Sequence, residues 1–159
     1  MSDSEPTNNT VKQDPRDLER ICLMSAISGT LMRDGEPIRH ARVKQSVSRV
    51  YGDGFVEKET QTDENGYFAF PVIFEDKQKF VLLPIFRNGQ VLTVIEKEQE
   101  TDFWIGVKTD GLENSEARGK RLKVTCDLTE TQNRTYIDKS NYISFCHWDV
   151  VSDPEPEPY

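Results

Sequence analysis

The sequence predicts an all-β protein, an antiparallel two-sheet sandwich of about eight to nine strands with polar tails at both ends. Three observations lead there. Apolar runs are short, and none in the middle of the chain holds a helical period. Turn residues separate them repeatedly, at Asp34-Gly35, Gly52-Asp53-Gly54, Asp63 to Gly66 and Asn88-Gly89. Several runs also alternate apolar and polar residues. Leu122, Val124, Cys126 and Leu128 interleave with Lys123, Thr125, Asp127 and Thr129, the period of a half-buried strand.

Taken in order, residues 1–20 carry too few apolar groups to offset the entropy of ordering and form a disordered tail. Residues 14–20 suit one turn of helix, with Pro15 at its start. The domain is expected over 21–151, followed by an acidic, Pro-rich tail over 152–159. Its strands fall at residues 23–32, 39–51, 55–62 and 67–74, the last carrying Pro71 and so an edge or a bulge. Residues 80–86 and 91–95 flank Asn88-Gly89, which reads as a hairpin turn. Further strands follow around Trp104, over Leu122 to Leu128, and over 142–150.

The stretch from Ser28 to Phe74 has a finer order. Gly29 interrupts an apolar run, where another backbone or a large ring can approach. Asp34-Gly35 turns the chain, Pro37-Ile38 leaves the turn, and Ala41 and Val43 begin the next strand. Thr62-Asp63 and Gly66 then make a second turn that launches Tyr67, Phe68 and Phe70. This arrangement resembles the carboxypeptidase regulatory-like domain, a small transthyretin-like (prealbumin-type) sandwich. The pattern there is a G-x-V strand, a D/N-G-x-P-I/V turn, an A-x-V strand and a T-D-x-x-G-x-F/Y-x-F segment. The resemblance ends near Phe74. It implies a binding or scaffolding module, with any specific function carried by residues 80–150.

Composition narrows the classes. With 28 acidic and 20 basic residues the formal charge is −8, which repels phosphate backbones and speeds encounter with a basic partner. No run suffices to span a bilayer. Asp14, Asp17 and Glu19 precede the apolar residues 21–27 with the wrong charge for a secretory signal, so a cytoplasmic protein is expected. In that compartment Cys126 and Cys146 are expected to be buried thiols, although they stand on late strands that a bridge would suit.

The sequence has two histidines, His40 and His147, and three cysteines without the close spacing of a zinc site. No catalytic residue, metal ligand or cofactor is assigned. Transthyretin-like hydroxyisourate hydrolases rely on several histidines, an Arg and a C-terminal Tyr-Arg-Gly-Ser. Intradiol dioxygenases hold iron with two Tyr and two His. Neither set appears here. The acids Glu57, Glu59, Asp127 and Glu130 read as solvated strand faces.

The expected function is therefore non-catalytic protein binding, most concretely an immunity or antidote protein that captures a toxin or effector. The partner-binding residues assigned to it are Arg118, Lys120, Arg121 and Lys123, next to the long polar loop of residues 109–119. A second basic stripe, Arg39, Arg42 and Lys44, reads as a strand face paired with acids opposite. The alternative is a carbohydrate- or envelope-binding accessory domain using Tyr51, Trp104 and Trp148 as rings.

Overall fold

Alternation of inward apolar and outward polar residues builds nearly every element of this protein into a strand. The structure, a computed structural model, describes residues 20–77 and 86–157. The helical turn expected over 14–20 thus lies outside the described residues but for Arg20, as does the strand expected over 80–86 but for Phe86. The strands are β1 (Arg20–Met24), β2 (Ile27–Arg33), β3 (Glu36–Pro37), β4 (Arg42–Ser48), β5 (Phe55–Gln61), β6 (Tyr67–Phe70) and β7 (Ile73–Asp76). They continue with β8 (Asn88–Glu96), β9 (Gln99–Lys108), β10 (Leu122–Asp127), β11 (Asn133–Ile137), β12 (Ser140–Ser144) and β13 (Cys146–His147). A single turn of 3₁₀ helix, Ser115–Ala117, precedes β10.

The six-stranded sheet has the order β11-β12-β9-β8-β4-β5 and is antiparallel throughout. A five-stranded sheet runs β13-β10-β2-β3, with β6 also paired to β2, and β1 pairs with β7 in a separate ribbon. The inward faces meet in one apolar cluster. Ile27, Leu31, Phe68, Phe70, Leu122 and Val124 supply one side, and Val43, Val47, Leu92, Val94 and Trp104 the other. Phe68 and Phe103 meet edge to face, with centroids 5.6 Å apart. The all-β sandwich read from the sequence is what the chain forms.

Several details differ from expectation, each for a physical reason. The sheets are not wholly antiparallel: β10 runs parallel to β2, with Val124 opposite Gly29. A Cβ at Gly29 would collide with the Val124 carbonyl, so the missing side chain is what admits this partner. The expected strand 23–32 is broken at Ser25-Ala26, where the chain passes from the ribbon into the five-stranded sheet. Pro71 breaks the strand at 67–74 into β6 and β7.

The Asn88-Gly89 hairpin does not form. Both residues lie inside β8, and the turn into β9 is made by Lys97 and Glu98, at φ 46° and 71°. The thiols expected at Cys126 and Cys146 are instead a disulfide joining paired positions of β10 and β13. In the chain-entropy model a bond closing a loop of this length stabilises by about 3 kcal/mol.

Contacts with the sandwich extend a little past residue 151, to Asp153. Asp153 donates its amide to the Tyr136 carbonyl at 2.7 Å, and its carboxylate accepts from the Asp138 amide at 2.7 Å and from Arg118 at 2.9 Å. The Asp138 amide, and Arg118 after it, hold the Asp153 carboxyl below its ordinary value.

The second turn of the Ser28–Phe74 stretch yields a test. Gly66 has φ 77°, and a Cβ there would collide with the Leu31 carbonyl. Leu31 in turn donates its amide to the Gly66 carbonyl at 2.8 Å. Gly66→Val is expected to cost at least the 1–3 kcal/mol of a left-handed β-branched residue, roughly. A clear fall in melting temperature is the outcome expected, and an unchanged one would remove this turn assignment.

Candidate functional site

Two regions gather chemistry-bearing side chains, one buried and one open. The buried one grows from the passage between β1 and β2. Leu23, Met24 and Ser25 are fully buried there, and buried backbone needs partners. Asn88 and Gln90, pointing inward from β8, each donate an amide N–H to the Leu23 carbonyl, at 3.0 and 3.1 Å. The Glu116 carboxylate accepts from the Ser25 amide at 3.0 Å, the Ser25 hydroxyl at 2.6 Å and the Gln90 amide at 3.1 Å. Trp104 Nε1 donates to Gln90 Oε1 at 3.0 Å, which fixes the amide the right way round.

Lys108, with none of its side chain exposed, lies 4.0 Å from Glu116. Its ammonium donates to Asp110 at 2.9 Å, the Leu112 carbonyl at 2.5 Å and Ser115 Oγ at 2.8 Å, using all three protons. Burial raises the Asp110 carboxyl, but the Leu112 amide and Lys108 outweigh it and hold the group below its ordinary value. Cys22 is a free thiol beside Ser25, and burial pushes it up to about 11. Burial, followed by the Glu116 charge, raises the Tyr142 hydroxyl as well. The side chains of Cys22, Lys108, Glu116 and Tyr142 are all buried. The cluster ties the loop 109–119 to β1.

That loop is therefore not the free excursion its length and polarity suggest. Gly111 accepts the Cys22 amide at 3.0 Å, Glu116 and Ala117 are buried, and Trp148 Nε1 donates to the Glu116 carbonyl at 2.9 Å. The signal for this was Glu116 itself, an acid between small residues, which in sequence looks like any other surface acid.

The open region separates the four assigned cations into two pairs. Arg118 bonds the Val151 carbonyl and the Asp153 carboxylate, each at 2.9 Å, and Lys120 pairs with Asp149 at 2.9 Å. Arg121 and Lys123 are exposed and take no ion pair among the described residues. They line an open cleft of about 390 Å³ at the end of the five-stranded sheet, with Ser28, Ala69, Glu113 and Asn114. The outer face of that sheet continues as a row across four strands, Tyr67, Thr30, Thr125 and His147.

Other assigned residues fall elsewhere. Arg39 donates to the Glu64 carbonyl, and Arg42 pairs with Glu59 at 2.8 Å across β4 and β5. His147 stands 3.0 Å from Glu130, and among the described residues no three His, Cys, Asp or Glu side chains group to hold a metal. Trp104 is fully buried, and half-buried Trp148 packs against it at a tilt, with ring centroids 4.9 Å apart. Tyr67, 46% exposed, is the aromatic ring that the outer face presents, although its sequence pattern marks it only as a strand residue.

Two predictions follow from these contacts. Lys108→Met removes the cation between Asp110 and Glu116. Breaking a buried pair on one side costs about 3–5 kcal/mol, so the denaturant midpoint is expected to fall sharply. A midpoint equal to wild type would show the cluster to be dispensable.

Asp127 supplies the second. Thr129 first, then the amides of Gly35 and Asp34, hold its carboxyl down to about 2. Because the folded value lies below the unfolded value of about 3.9, the contribution is present above that pH and disappears as pH falls toward 2. Asp127→Asn is expected to lower the melting temperature at neutral pH, with the gap to wild type closing between about pH 4 and 2. A gap that stays constant across this range would remove Asp127 as the clamp on the Asp34-Gly35 turn.

Comparison with known proteins adds one result. No curated protein and no solved structure matches this chain. A family model described as a domain of unknown function (DUF6795) matches residues 27–131, from β2 through β10 and the turn after it. That span is most of the sandwich and includes the open cleft, Lys108 and Glu116, so the chain belongs to the DUF6795 family.

Proposed function

We propose that this chain is a non-catalytic, protein-binding β-sandwich, most concretely an immunity or antidote protein that captures a toxin or effector without a cofactor. The observation that carries the reading is the cleft at the end of the five-stranded sheet. Arg121 and Lys123 stand exposed there without an ion pair among the described residues, while Arg118 and Lys120 are held by the C-terminal segment. The formal charge of −8 attracts a basic partner over distance, and the two cations receive one of its acidic groups at contact. The resemblance to carboxypeptidase regulatory-like domains agrees with a binding role. So does the use of Lys108, Asp110 and Glu116 to hold a loop rather than to face solvent.

A second reading, a carbohydrate- or envelope-binding domain, draws on Tyr67. Its ring lies on the same outer face as Ser28, Thr30 and Thr125, a flat surface with hydroxyls beside an aromatic plane. The cytoplasmic placement proposed from the acidic flank of residues 21–27 requires Cys126 and Cys146 to be reduced there. The bonded pair instead suits an oxidising compartment.

Co-purification from the native cells separates these readings. Arg121→Glu with Lys123→Glu is expected to lose a bound protein and to flatten the salt dependence of binding, with an unchanged melting temperature. Full retention of the partner by that variant would move the interface away from the cleft. Loss of glycan binding on Tyr67→Ala, with no protein partner found, would favour the second reading.

A further inference from the structure

The outer face of the six-stranded sheet carries a pattern that matches itself. One register row crosses all six strands in the order Arg134, Ile143, Ile105, Val91, Ser46 and Glu57. All six side chains point away from the core, because their neighbours along each strand, such as Thr135, Tyr142, Trp104, Leu92 and Val47, are buried. The middle of the row is aliphatic, and Ile105 is 38% exposed. One end is a cation and the other an anion. Neither Arg134 nor Glu57 takes an ion pair among the described residues, while nearby Arg42 and Glu59 pair with each other. The adjacent row ends in aromatic rings, Tyr136 on β11 and Phe55 on β5, and Phe55 is 63% exposed.

We infer that this face is the interface of a symmetric dimer, its occupant being a second copy of the same chain. A two-fold axis lying in the interface, parallel to the strands and between β9 and β8, exchanges the two ends of each row. Arg134 then faces Glu57 of the second copy, Ile105 faces Val91, and Tyr136 faces Phe55. Each of these contacts occurs twice. The charged ends and the central Ile105 and Val91 are satisfied by one operation, which places Ile143 against Ser46 between them. The packing is of the aligned sheet-on-sheet kind, with the strands of the two copies running in the same direction. The inference is independent of the cleft and of the function proposed for it.

Charge exchange tests this directly, with mass in solution measured by light scattering or sedimentation on the full chain. Wild type is expected at twice the chain mass. Arg134→Glu alone places two anions against each other at both ends, and Glu57→Arg alone places two cations. Each is expected to raise the dimer dissociation constant at least about tenfold, with circular dichroism unchanged. Mixing the two single variants in equal amounts restores opposite charges at both ends, so the mixture is expected to recover the dimer as a heterodimer. Ile105→Lys is expected to be monomeric whatever its partner. A wild-type protein at single-chain mass throughout would overturn the inference. So would a wild-type dimer that both single variants keep at full affinity, or variants that stay apart on mixing.

Discussion

The structure depends on one constraint, the burial of a stretch of bare backbone. The chain leaves the β1–β7 ribbon at Met24 and enters the five-stranded sheet at Ile27, and Leu23 to Ser25 at this passage are fully buried. A crossing of this kind carries polar groups into the core without the ladder that a sheet would supply. The protein satisfies them with side chains from two distant segments, amides from β8 and a carboxylate from the loop before β10. Once Glu116 is inside, a cation has to follow it, and Lys108 does so with every proton bonded. Trp104 belongs to the same logic. It holds the Gln90 amide in the orientation that gives its N–H groups to Leu23 and Glu116.

The polar interior is thus tied up in holding the fold. Lys108, Asp110, Ser115 and Glu116 would look like an acid–base constellation if they lined a cleft. Here the bonds they make hold the loop to itself, to Ser25 and to Gln90, and a group that left its partners would be unpaired in a buried site. Under the proposed function, recognition falls to the outer surfaces. On those, the C-terminal segment has already taken Arg118 and Lys120, so the basic stripe that is continuous in sequence is half occupied in space.

The sandwich was legible because its signals are local. Gly29 and Gly66 stand where a close approach and a turn require them, and the alternation in β10 reports its buried side without knowledge of its neighbours. What was not legible depended on pairing at long range. Asn88-Gly89 has the chemistry of a turn, yet the Asn88 amide is needed inside for the Leu23 carbonyl, and that demand outweighs the local preference. The true turn, Lys97-Glu98, has neither Gly nor Asn to announce it. The parallel pairing of β10 with β2 is likewise invisible, since the two are separated by most of the domain. Of the site, the cations were found as a group, but only geometry distinguishes Arg121 and Lys123 from the pair beside them. Tyr67 was read as a strand residue because aromatic alternation looks the same whether a ring faces in or out.

The two outer faces of the sandwich are chemically unlike, and this bears on how they work together. The six-stranded face is aliphatic in the middle with opposite charges at its ends, whereas the five-stranded face holds small polar residues, one exposed ring and an open cationic cleft. Two copies joined through the first necessarily turn the second outward, on opposite sides of the assembly. Four sheets then stand in a stack, and at about 10 Å between packed sheets the two outermost lie roughly 30 Å apart. Under the proposed function, a small partner bound in one cleft would not reach the other, so each cleft would take its own partner and the complex would hold equal numbers of both chains. The dimer adds no contact to such a partner. It adds affinity only for a target that is itself repeated, where the second engagement becomes intramolecular.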